Sequence, residues 1–172
     1  ITPYCLGLWN NDQKNAFKPI VSFIKKMGSI PAFQLAHAGR KAAVKEPWKG
    51  GLPLDKEDEK EGIFPWDTVA PSALALASGF RTPKALEKKD IDDIILAYVN
   101  SAKLALEAGF EVLEIHAAHG YLIHSFLSPI SNKRNDEYGG NLEGRAKILK
   151  DIIIAIRNNI SDTVPLFCRI SA

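Results

Sequence analysis

Glu111-Val-Leu-Glu-Ile-His-Ala-Ala-His-Gly-Tyr121 is the stretch whose reading decides the fold. Val112 to Ile115 has the composition of a short buried strand. The chain then leaves strand periodicity for a run holding His116, His119 and Tyr121, three groups able to donate a hydrogen bond or a proton. A strand whose C-terminal end opens into a glycine-containing polar loop is where parallel α/β folds place their chemistry. Immediately upstream, Asp90 to Ala108 reads as a helix closed by Gly109, with Ile91, Ile94, Ile95, Tyr98, Ala102, Ala105 and Leu106 at helical spacing. Asp90 and Asp93 resemble a capping box at its start. The unit is therefore helix, short loop, buried strand and polar exit.

The same pattern extends outward on both sides. Asn11 or Asp12 caps a first helix whose stripe is Ala16, Phe17, Ile20, Val21, Phe23 and Ile24, and Gly28 suits the left-handed position that ends it. Ile30 to Ala36 is the first strand, running through Gln34 towards His37-Ala-Gly-Arg40. Residues 41–89 lack periodicity and carry most of the prolines. That is too long for a plain connection, so the segment reads as a lid or excursion, with a short hairpin expected around Gly62 to Val69. Within it Asp55 to Glu61 reads as a solvated loop. After the central strand a loop runs to Gly140. Asn141 then caps a third helix with the face Leu142, Ile148, Leu149, Ile152, Ile153 and Ile156, and Pro165 to Ser171 is the third strand.

Helices alternating with strands place the chain in the α/β class. Strand parity refines this. Leu113 and Ile115 share one face of the central strand, Glu114 and His116 the other. Arg169 shares a face with Phe167 and Ser171, and Gln34 with Ala32 and Ala36. An open doubly wound sheet is more often apolar on both sides. A closed barrel admits inward polar groups at its top, which favours a partial (β/α)8 barrel with about three of the eight strands.

The bulk properties exclude several classes. With 22 basic and 20 acidic side chains the net charge is +2, which gives nucleic acid or an anionic membrane surface no electrostatic foothold. No apolar run approaches the roughly 18 residues of a membrane span. Cys5 and Cys168 match no metal or redox spacing and read as reduced thiols in a cytoplasmic protein. The sequence begins at Ile1 and stops at Ala172, directly after an apolar strand. An unpaired parallel edge is something proteins usually cover, so the chain is expected to be part of a longer polypeptide.

If the three strands are neighbours, Gln34, His116, His119, Tyr121 and Arg169 converge. Two imidazoles can hydrogen-bond an oxygen as negative charge develops on it. A phenol can act as general acid, and a guanidinium favours an anionic ring, phosphate or enolate. Each also has a plainer reading. His116 could be tied to a backbone carbonyl, Gln34 could satisfy loop backbone, and Tyr121 could be an ordinary half-buried aromatic. Arg134 and Asp136 could simply pin their loop. His-x-x-His with His37 and Glu114 as further ligands leaves a zinc hydrolase open as a weaker alternative.

Longer matches go beyond spacing. Phe33-Gln-Leu-Ala-His-Ala-Gly-Arg40, Ala70-Pro-Ser-Ala73, Ala108 to Leu122, Phe126-Leu-Ser-Pro129, Asn132-Lys-Arg134, Asp136-Glu-Tyr-Gly-Gly140, Arg145 and Cys168-Arg-Ile-Ser171, in that order, resemble the old yellow enzyme family of flavin-dependent ene-reductases. His119 is similar to the branch with a His/His pair. Gly144 stands where members usually have asparagine. The resemblance implies a (β/α)8 barrel carrying FMN at its C-terminal mouth. It implies cofactor contacts from Gln34, at the pyrimidine edge, and Arg169. It implies that His116 and His119 hold the oxygen of an enone or enal, that Tyr121 protonates its α-carbon, and that NADPH or NADH is the hydride donor. Residues 1–172 would then be an incomplete FMN-binding barrel segment of an enzyme whose longer form could be a homo-oligomer. The rival expectation is a non-catalytic truncated paralogue, or a fragment that does not bind flavin by itself.

Overall fold

The computed structural model describes residues 1–171, which divide into two compact units. The sheet unit comprises Leu6–Ala36, Lys88–Ala117 and 148–171, and the loop unit comprises Ile1–Cys5, His37–Glu87 and Ala118–Lys147. Among the described residues no helix is long and apolar enough to cross a membrane.

The sheet unit holds three strands, β1 (Ala32–Leu35), β4 (Val112–Ala117) and β5 (Leu166–Ile170), all parallel in the order β1-β4-β5. β4, the expected centre, is the middle strand. It runs two residues further than its apolar run suggests, because His116 and Ala117 continue the ladder opposite Arg169 and Ile170. The expected strands Ile30 to Ala36 and Pro165 to Ser171 are both shorter in fact.

Two helices precede these strands and pack together. In α1 (Asn11–Lys26) the cap is Asn10 rather than Asn11 or Asp12, its side chain accepting the Gln13 N–H at 2.9 Å. The helix ends at Gly28, where φ is 81°, with Ser29 N–H returned to Ile24 O and Gly28 N–H to Lys25 O. Only Phe17 and Val21 of its apolar stripe are buried, while Ile20 and Phe23 are exposed. α3 (Lys88–Ala108) starts two residues before Asp90. The expected Asp90/Asp93 box is therefore not formed, and Asp93 instead pairs with Lys89 at 2.6 Å on the helix surface. Ile91, Tyr98, Ala102 and Ala105 are buried as their spacing requires.

One face of the sheet belongs to the helices. Phe33 of β1 meets Phe17 of α1 at 5.5 Å between ring centroids and Phe110 at 5.0 Å, both edge-on. Leu113 and Ile115 are completely buried. Cross-strand partners in register point the same way, so Gln34, Glu114, His116, Phe167 and Arg169 occupy the opposite face. The parity expected from sequence holds in all three strands.

α5 (Leu142–Arg157) begins in the loop unit and ends in the sheet unit. Asn141 is its cap, accepting the Gly144 N–H at 2.9 Å. Ile148, Ile152 and Ile156 are fully buried, whereas Leu142, expected on that face, is exposed.

The loop unit contains four α-helical or strand elements that the sequence did not announce. Asp55 to Glu61 is not a plain loop: α2 (Lys56–Lys60) carries a reciprocal capping box between Asp55 and Asp58 and closes at Gly62. No hairpin forms over Gly62 to Val69. Instead β2 (Val69–Ala70) pairs in parallel with β3 (Lys84–Ala85). The long excursion is thus tied together by non-local bonds, including an antiparallel bridge between Val44 and Pro53. α4 (Leu122–Leu127) interrupts the stretch read as continuous loop, and Leu122, Ile123 and Phe126 are fully buried.

Arg134 staples this unit together. It pairs with Asp136 and donates to the carbonyls of Pro71, at 3.1 Å, and Leu86. The Arg134 guanidinium in turn holds the Asp136 carboxyl below its ordinary value. Asn132 is buried and donates to the carbonyls of Phe126 and Tyr138, both at 2.8 Å.

Candidate active-site groups

On the sheet unit, Gln34, Glu114, His116 and Arg169 lie on the polar face towards the C-terminal ends of parallel strands. Register sets Gln34 opposite Glu114 and His116 opposite Arg169. The Gln34 amide nitrogen donates to Glu114 Oε1 at 2.5 Å, a short, charge-assisted bond. His116 is 6 % exposed, while Gln34 and Arg169 are accessible. Three of the expected site residues, Gln34, His116 and Arg169, are therefore brought to one surface. Glu114 joins them. Its position two residues before His116 was the signal for it, and its partner lies 80 residues away in the chain. Glu114 also pushes the Cys168 thiol up, after burial as the larger cause.

On the loop unit, His119 and Tyr121 sit in a tight turn that leads into α4. His119 adopts φ 58° and Gly120 φ 77°, so two successive residues are left-handed. A non-glycine residue in that region stays there only when its surroundings hold it. Two side chains do so. Lys41 Nζ donates to the His119 carbonyl at 2.6 Å, and the Gly120 N–H donates to His124 Nδ1 at 2.7 Å. The Lys41 ammonium also lies 5.4 Å from the centre of the Tyr121 ring. Burial, then Lys41, then His119 lower the His124 pKa, which keeps its imidazole neutral and able to accept. Neither Lys41 nor His124 was expected at the site. The signals available were the residue after Arg40 and a third histidine one helical turn beyond Gly120.

His37-Ala-Gly-Arg40 packs against the same turn. The Leu122 N–H donates to His37 O at 3.0 Å, and His37 Nδ1 accepts the Gly39 N–H at 3.0 Å. Burial pushes the His37 imidazole down to about 4. It is a neutral structural acceptor rather than a proton carrier at neutral pH. Arg134 and Asp136 pin their loop, as the plainer reading held. Among the described residues no three His, Cys, Asp or Glu side chains gather as a metal site.

These side chains have definite capabilities. An amide and a guanidinium on one sheet face can read the hydrogen-bonding edge of a flat heterocycle and favour negative charge on it. Imidazoles can donate to a substrate oxygen, and a phenol beside an ammonium can give up a proton.

Comparison with known proteins gives the family. The sequence model described as the NADH:flavin oxidoreductase / NADH oxidase family matches residues 1–172. An NADH:flavin oxidoreductase of Gibberella zeae is 45% identical over 174 residues, covering 100% of this chain and 41% of that protein. An NADPH dehydrogenase of a Geobacillus species is 43% identical over 167 residues, covering 97% of this chain and 43% of its own length. The chain thus spans less than half of the curated relatives it matches. Among solved structures, morphinone reductase superposes with a TM-score of 0.78 at 28% identity, covering 95% of this chain and 44% of that one. Histamine dehydrogenase from Rhizobium sp. 4-9 gives 0.76 at 28% identity, over 95% and 23%.

Proposed function

The chain belongs to the NADH:flavin oxidoreductase / NADH oxidase family, and on that premise we propose that it forms part of an FMN-dependent NAD(P)H oxidoreductase that reduces the C=C bond of α,β-unsaturated carbonyl compounds. In this reading its three strands belong to a closed (β/α)8 barrel. The observation that carries the proposal is the single polar sheet face. Gln34, Glu114, His116 and Arg169 stand together at the strand ends, opposite the fully buried Leu113 and Ile115.

The donor set fits a flavin. Gln34 supplies an amide for the polar edge of the ring. Arg169 supplies a permanent positive charge that favours the anionic, reduced form, which is how a protein tunes such a cofactor. When bound, FMN supplies the hydride that ends on the substrate β-carbon, having taken it from NADPH or NADH. The remaining chemistry falls to this chain. His116 and His119 donate hydrogen bonds to the carbonyl oxygen as enolate charge grows there. The Tyr121 hydroxyl gives its proton to the α-carbon and recovers one from water. The clamp by Lys41 and His124 keeps His119 in its left-handed conformation and so fixes the turn that carries both His119 and Tyr121.

The test uses the natural-length protein under anaerobic conditions. NADPH should bleach its flavin absorbance, and 2-cyclohexenone should then restore it with formation of cyclohexanone. Flavin that is bleached by NADPH but not recoloured by any enone would overturn the substrate assignment.

A further inference from the structure

We infer that Glu114 is a positioning residue that fixes which edge of the Gln34 amide is offered to the ring of the bound cofactor; this rests on the flavin reading above. Glutamine presents two different faces, an oxygen that accepts and a nitrogen that donates, and a free side chain can exchange them by rotating about its last bond. In this structure the exchange is closed off. The Gln34 nitrogen donates to Glu114 Oε1 at 2.5 Å. Rotating the amide would set its oxygen against a carboxylate oxygen, two acceptors with no proton between them. The strand register makes the pairing structural rather than incidental, since Gln34 and Glu114 are direct cross-strand partners on the polar face of adjacent parallel strands. With one of its two N–H groups held by Glu114, Gln34 presents its oxygen in a fixed direction. It therefore selects a ring edge that carries an N–H, as the imide edge of an isoalloxazine does, and the side chain is ordered before the ligand arrives.

Glu114 acts in this scheme only through Gln34, and that dependence is what the experiment reads. FMN rebinding to the flavin-stripped natural-length protein is followed by quenching of flavin fluorescence in wild type, Glu114→Leu, Glu114→Gln, Gln34→Leu and the Glu114→Leu/Gln34→Leu double variant. Releasing one ordered side chain and its hydrogen bond should raise the Kd between about twofold and tenfold in Glu114→Leu. Glu114→Gln, which keeps the size but can pair with either amide edge, should fall between it and wild type. The double variant should bind no more weakly than Gln34→Leu alone, because once the amide is gone Glu114 has nothing to position. A second readout is specific to the amide edge. The penalty for FMN methylated at its imide nitrogen should shrink in Glu114→Leu relative to wild type.

An unchanged Kd in Glu114→Leu and Glu114→Gln would overturn the inference, as would a double variant whose loss is the product of the two single losses. In either case wild-type binding would leave the flavin reading standing. A wild-type protein that takes up no FMN would instead remove the flavin reading itself, and this inference with it.

Discussion

Gly39 offers the sharpest test of how the loop unit is built around the turn that carries His119 and Tyr121. It sits at φ 59°, and a Cβ added there would lie 2.9 Å from Leu122 Cα and 3.0 Å from Leu122 N. Those atoms belong to the backbone at the first residue of α4, directly after Tyr121, and cannot rotate away. Gly39→Ala therefore combines two costs. A left-handed alanine costs about 1–2 kcal/mol. Crowding against a fixed neighbour adds about 1–3 kcal/mol. Loss of glycine freedom in the unfolded chain returns about 0.4–1 kcal/mol, for a net destabilisation of about 1–5 kcal/mol. Gly28→Ala is the internal control: its φ is 81°, but no atom lies within 4 Å of the added carbon. It carries the conformational cost without the contact, and the unfolded-state offset cancels between the two. Urea unfolding of the flavin-stripped natural-length protein, where bound ligand cannot mask the effect, should show Gly39→Ala less stable than Gly28→Ala by about 1–3 kcal/mol. The enone half-reaction of Gly39→Ala should also slow, since the start of α4 must move and Tyr121 with it. Equal losses in the two variants would show that His37-Ala-Gly-Arg40 does not press on the turn as described.

The other expectations are briefer. Tyr121→Phe should leave flavin reduction by NADPH intact while slowing the enone half-reaction by about 10²- to 10⁴-fold, read by stopped flow; equal slowing of both would remove the proton-donor role. Asn132→Ala should cost ~3 kcal/mol in urea unfolding, because it strips the buried carbonyls of Phe126 and Tyr138 of their donor and leaves the Arg134 N–H without Asn132 Oδ1. His37 should make stability fall in acid. Its folded pKa of about 4 lies below the ordinary 6.5, so the unfolded chain binds a proton the folded form refuses. The stability is complete above about pH 6.5 and is lost as pH falls towards 4, by up to about 3 kcal/mol. Unfolding midpoints of wild type and His37→Asn across that window check it, since only wild type should carry that slope. Gly144→Asn, which would restore the family's usual residue, should destabilise by about 1–3 kcal/mol, because an added Cβ would lie 2.1 Å from the Gly139 carbonyl oxygen. A neutral or stabilising result would show that the Gly139–Gly140 turn yields easily.

What could be read from the sequence was what depends on local period. The central strand, the helix before it and the division of each strand into a greasy and a polar face all follow from spacings of two or of three and four. The structure places Leu113, Ile115, Gln34 and His116 on the faces those spacings require. The boundary of β4 was misjudged because Ala-Ala-His has no apolar alternation. His116 stays in the strand on account of its ladder partner Arg169, which is 53 residues later. The elements inside the excursion were misread for a similar reason. Its parallel pairing of Val69–Ala70 with Lys84–Ala85 is non-local, and the charged helix Lys56–Lys60 depends on the Asp55/Asp58 cap rather than on any apolar stripe. Among the candidate site groups, residue type pointed to Gln34, His116, His119, Tyr121 and Arg169, but not to the groups that orient them. Glu114, Lys41 and His124 act through a side-chain amide, a carbonyl oxygen and an amide N–H, and their positions in the sequence mark them without revealing those partners.

The most direct test of the account is the flavin content of the natural-length protein as purified. Denaturation and chromatography of the released cofactor should find FMN at about one per chain, and Gln34→Leu and Arg169→Leu should each lower that occupancy. A folded, colourless protein that takes up no added FMN would contradict the account at its root.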